Sequence, residues 1–108
     1  MLSTDKARQS AQVRPDHGGR LELKLVSASD SRAAYVLTLF TPDAELRAPV
    51  ALDSATDGIE LGSFEGGAAP AWLESYAHAL LRSVLRTKSS AGDWPRRLTR
   101  WRPAPKAG

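Results

Sequence analysis

Cysteine is missing from all 108 residues. Disulfides, thiolate metal sites and cysteine nucleophiles are excluded together. The absence fits the cytosol without requiring it. Histidine is nearly as scarce, with only His17 and His78. No apolar run approaches the roughly 20 residues that a membrane helix needs. Residues 1–19 carry charges but no apolar core, so they do not read as a signal peptide. The expected location is the cytoplasm, with no membrane contact.

Acidic residues are scarce in one place. Residues 1–78 hold seven Lys/Arg and eleven Asp/Glu, whereas residues 79–108 hold eight Lys/Arg and the single acid Asp93. The net charge of +3 therefore conceals a basic C-terminal third. Such an asymmetry suggests an acidic partner for that end: nucleic acid, an anionic surface or the acidic part of another copy.

What is present reads as one α+β domain. At 42% hydrophobic and 25% charged, the chain belongs to the globular class. Its length suits a single domain. Residues 1–19 lack apolar periodicity and read as a disordered lead. From Arg20, Leu21, Leu23 and Leu25 alternate with Glu22 and Lys24, the pattern of a half-buried strand. Ala33 to Phe40 is apolar on both faces and reads as a central strand. Glu45 to Leu52 alternates again, but Pro49 lies within it. Proline cannot donate to a ladder, so this strand is expected at an edge or with a bulge. Ile59 to Phe64 makes a short fourth strand. The expected sheet is a four-stranded antiparallel meander.

Pro70 stands where a helix should begin. Over residues 71–88 the apolar residues Trp72, Leu73, Tyr76, Ala77, Leu80, Leu81, Val84 and Leu85 fill one arc of a helix. The arc exceeds the stripe of about 100° that one sheet covers. Leu81 and Leu85 form the surplus. It should be covered by the C-terminal segment or by a second copy, and a homodimer through these two leucines is the expectation. Leu23, Leu37, Val50, Leu61, Leu73, Ala77, Leu80 and Val84 should form the core between sheet and helix.

Gly92 breaks the helix. Asp93 then suits an N-cap, with Pro95 just inside. Trp94, Leu98 and Trp101 follow at i, i+4 and i+7, one face of a short basic helix or arm. An extended reading of residues 97–102 stays open; it would put Leu98 and Trp101 on opposite faces. Residues 20–102 form the expected domain and residues 103–108 a flexible tail.

Enzyme chemistry finds little support. His78 follows Glu74 by one helical turn, but no third ligand or catalytic partner is evident, and the pair reads as a solvated helix face. Asp53 to Gly58 opens like a calcium loop but has Ala55 at its third position and Phe64 at its twelfth, so it reads as a turn. Gly62 to Gly67 matches neither nucleotide fingerprint. No cofactor, metal or small-molecule substrate is expected.

The segment from Arg82 to Lys106 carries the functional signal. Six arginines and two lysines lie close to Trp94 and Trp101. Arginine contacts phosphate or carboxylate bidentately, and indole stacks on bases. Arg86, Lys88, Arg96, Arg97, Arg100, Trp101 and Arg102 are the expected binding residues. The expected function is a non-enzymatic interaction module that self-associates and meets an acidic protein surface. The alternative is single-stranded nucleic-acid binding through the same segment. Whether Trp94 and Trp101 serve the core or the binding surface is left open by the sequence.

Overall fold

The computed structural model describes residues 15–105. Strict alternation from Arg20 produces strand β1, Gly19–Ala28, with Leu21 and Leu23 buried. Its ladder shifts register between Leu25 and Ser27, leaving Val26 exposed. Strand β2, Arg32–Phe40, pairs antiparallel with β1. Strand β3, Glu45–Asp53, pairs antiparallel with β2. Strand β4, Gly58–Leu61, follows through a tight turn. In that turn the Asp53 carboxylate accepts the Ala55 N–H at 2.9 Å and Asp57 has a positive φ of 56°.

Pro49 lies in a strand flanked on both sides rather than at an edge. Its missing N–H falls where the β3–β4 ladder loses register. Val50 pairs with Leu61, but Arg47 bridges Glu65, so one extra residue stands on the β4 side. Gly62 donates to the Pro49 carbonyl at 2.9 Å. A Cβ on Gly62 would meet the proline ring at 2.7 Å, which explains a glycine there.

Helix α1, Ala71–Ala91, starts immediately after Pro70, whose carbonyl accepts the N–H groups of Leu73 and Glu74. It ends at Gly92, which adopts the left-handed conformation with φ 85° and donates to the Lys88 carbonyl. That φ suits glycine because no Cβ opposes it. The helix covers one face of the sheet. Leu73, Ala77, Leu80, Leu81, Val84 and Leu85 meet Leu21, Leu23, Tyr35, Leu37, Leu39, Leu46, Val50 and Leu52 in one core. Of the expected core only Leu61 is merely half-buried.

Two expectations are corrected. The first concerns the C-terminal segment. Residues 97–102 form a fifth strand, β5, Arg97–Arg102, and not a short basic helix. The sheet therefore has five antiparallel strands, in the order β4-β3-β2-β1-β5. The meander leaves the outer side of β1 with unpaired backbone groups, and β5 satisfies them along six residue pairs from Gly19↔Arg102 to Lys24↔Arg97. That demand outweighs the helical spacing of Trp94, Leu98 and Trp101. Asp93 caps no helix. The second concerns Leu81 and Leu85. They are 0% and 5% exposed within a single chain, with Trp94 and Leu98 packed against the same core. The apolar surplus of α1 is thus absorbed internally, and these leucines offer no stripe to a second copy.

The expected disordered lead falls mostly on residues 1–14, outside the described residues, as do residues 106–108 of the expected tail, including Lys106. Among the described residues no helix is long and apolar enough to cross a membrane.

A candidate anion-binding cleft

Strand alternation decides where the basic residues go. Across the β1–β5 ladder, Leu98 stands opposite Leu23, Arg100 opposite Leu21 and Arg102 opposite Gly19. Leu21 and Leu23 face α1, so Arg100 and Arg102 lie on the helix side of the sheet. Arg97, Thr99 and Trp101 lie on the opposite, open face.

On α1, Tyr76, Ala79, Leu80, Ser83 and Arg86 recur at helical spacing and form the stripe toward β5. Ala79 and Ser83 are small, and they leave room. The result is a cleft of about 270 Å³ between α1 and β5, lined by Leu21, the five helix residues, Arg100 and Arg102. Three guanidinium groups border it and no carboxylate does.

The hydrogen bonds of these arginines are local. Arg100 donates to the Thr99 carbonyl at 2.8 Å, and Arg102 to the Trp101 carbonyl at 2.9 Å. Arg102 also lies over the Tyr76 ring, 5.5 Å from its centroid. Among the described residues, none of Arg86, Arg100 and Arg102 forms an ion pair. Each guanidinium has five N–H donors in a planar fork, so most of this capacity points away from protein acceptors. The cleft is rich in cations; Leu21 and Leu80 are almost fully buried at its margin, and Ala79 is exposed on its helix wall.

The remaining expected binding residues are dispersed. Arg97 forms a 3.1 Å ion pair with Glu22 on the open face. Lys88 donates to the Gly92 carbonyl at 2.8 Å and sits over the Trp94 ring, closing the helix C-terminus. Arg96 is exposed just before β5, and its carbonyl accepts the Leu25 N–H.

The two tryptophans divide. Trp94 is half-buried; its indole donates to the Ser29 carbonyl at 3.0 Å and meets Tyr35 edge-on. It ties the segment before β5 to the end of the sheet. Trp101 is 43% exposed on the open face. Its indole N–H donates to the His17 carbonyl at 3.2 Å, and the His17 ring stands edge-on to it.

Tyr76 and Ser83 were not singled out as site residues by sequence reasoning. The available signal was the helical spacing between Tyr76, Ser83 and Arg86, which becomes meaningful once β5 lies alongside. Glu74 and His78 border a different hollow, beside Pro49 and Glu60. Among the described residues no group of three His, Asp or Glu side chains is placed to hold a metal ion. Comparisons with protein families, with curated proteins and with solved structures find no match for this chain.

Proposed function

We propose that the chain is a non-enzymatic interaction module that holds an acidic protein segment in the cleft between α1 and β5. The observation that carries this reading is the meeting of Arg86, Arg100 and Arg102 on one cleft without any carboxylate. Arg32 and Arg97, by contrast, are each paired with a carboxylate. Arginines without a carboxylate partner beside a small apolar residue, Ala79, suit a ligand with an anionic head and a short stem. Binding through Leu81 and Leu85 of a second copy forms no part of the proposal, because both are core residues.

A second reading, single-stranded nucleic acid, draws support from aromatic rings near the arginines. It is the weaker one. Base stacking needs a free ring face. Tyr76 already carries Arg102 on its ring, and Trp101 lies on the other face of the sheet from the cleft.

Fluorescence anisotropy with a labelled glutamate-rich peptide and a labelled single-stranded oligonucleotide of equal charge tests both. The peptide should bind the full chain, with affinity that falls as salt rises. Arg86→Gln should weaken it by about tenfold, the scale of one charged hydrogen bond. Arg97→Gln should have little effect, because Glu22 already neutralises that side chain. Absence of peptide binding at about 100 μM protein, the regime of weak contacts, would sink the proposal. Tighter binding of the oligonucleotide would favour the second reading.

A further inference from the structure

We infer that the cleft between α1 and β5 recognises a phosphate monoester on the partner polypeptide, a phosphoserine or phosphothreonine in an acidic segment. This rests on the reading of the cleft as the site for an acidic protein.

Charge makes the first argument. Three arginines border the cleft. A carboxylate supplies one negative charge and two oxygens. A phosphate monoester supplies about 1.5 to 2 negative charges near neutrality and three acceptor oxygens. Only the second comes close to balancing the three cations. Guanidinium forks match phosphate oxygens in pairs. Arg100 and Arg102 each donate one N–H to a neighbouring backbone carbonyl, which leaves most of the donors of each fork for a ligand.

Size makes the second. About 270 Å³ lies just below the range of about 300–1,000 Å³ usual for whole small molecules. It suits one tetrahedral anion and a short stem. Exposed Ala79 offers that stem an apolar contact, and the Ser83 hydroxyl adds an uncharged donor on the helix wall.

The edge strand makes the third. Leu25 donates to the Arg96 carbonyl, so Arg96 and every second residue after it turn their backbone groups toward β1. Thr99 and Trp101 therefore turn their N–H groups outward. A peptide lying along β5 would accept from these two N–H groups alone, since Arg100 and Arg102 already hold the carbonyls of the same residues, while its phosphorylated side chain enters the cleft.

The test compares three labelled peptides of one acidic sequence by anisotropy against the full chain: phosphothreonine, threonine and glutamate at the central position. The phosphopeptide should bind at least about tenfold more tightly than the glutamate version, as a doubly charged bidentate ligand would. Its advantage should shrink between pH 7 and pH 5.5, across the second phosphate ionisation near pH 6. Arg86→Gln should remove most of the advantage, and Arg97→Gln should retain it. Inorganic phosphate should displace the phosphopeptide from the unmodified protein better than chloride at equal ionic strength, which needs no variant to fold. Equal affinity for the phosphorylated and glutamate peptides would overturn the inference and leave the acidic-partner reading intact. Failure of all three peptides to bind would overturn both. Displacement of the phosphopeptide by lower concentrations of a 5′-phosphorylated oligonucleotide would assign the cleft to nucleic acid instead.

Discussion

The phenol of Tyr35, in the middle of the sheet, donates a 2.7 Å hydrogen bond to the carbonyl of Pro95. Tyr35 is 2% exposed, and the bond locks the segment between α1 and β5 onto β2. Burial pushes its pKa from 10.0 up to about 12. The folded state therefore keeps the phenolic proton where the unfolded chain has lost it. This contribution to stability is complete below about pH 10 and is lost as pH rises toward 12. Tyr35→Phe should cost about 1–2 kcal/mol near neutrality, because the Pro95 carbonyl loses its partner. It should also flatten the decline in stability between pH 10 and 12. Urea denaturation at several pH values checks both, and an unchanged alkaline slope in the variant would contradict the assignment.

Leu81 tests whether the width of the apolar arc on α1 serves folding or association. Its side chain is fully buried within one chain. Leu81→Ala should lower stability by about 2–5 kcal/mol through lost burial and a residual cavity. Sedimentation equilibrium should show the same state of association for the variant as for the parent. A stable variant with altered association would mean that the leucine lies between copies.

Arg100 and Arg102 bond the backbone carbonyls of Thr99 and Trp101, and β5 is the edge of the sheet. Exposed edges invite pairing between molecules, and charged side chains discourage it. Replacing both arginines with threonine should remove both the carbonyl covers and the like-charge repulsion. Concentration-dependent association should then appear by light scattering, with only a small change in thermal stability. Continued monodispersity at high concentration would show that the edge needs no such cover.

Much of the fold was legible because its elements advertise their own periods. Leu21, Leu23 and Leu25 alternate, and the apolar residues from Trp72 to Leu85 follow a helical turn. Pro70 and Gly92 mark the helix ends, though α1 runs three residues beyond Lys88. β5 was legible only as the open, extended alternative for residues 97–102, because its state is decided elsewhere. Trp94, Leu98 and Trp101 satisfy a helical spacing, and Asp93 with Pro95 imitates a helix start. Pairing with β1, more than seventy residues away, overrides that local pattern. The cleft suffered for the same reason. Its three arginines were all named from composition, but Arg97 was grouped with Arg100 and Arg102. Strand geometry sends Arg97 to the opposite face, and only the tertiary fold brings Arg86 alongside the other two.

The pairing of β5 with β1 also sets an order of assembly. The contact between His17 and Trp101 spans 84 residues. Closing a loop of that length costs about 4 kcal/mol in chain entropy, whereas the hairpins from β1 to β4 close over short turns. The meander can therefore gather first, and β5 docks onto it only after the entire helix has been made. During synthesis on the ribosome, the β1 edge waits uncovered until β5 emerges. Until then neither the arginine cleft nor the cover on the sheet edge exists.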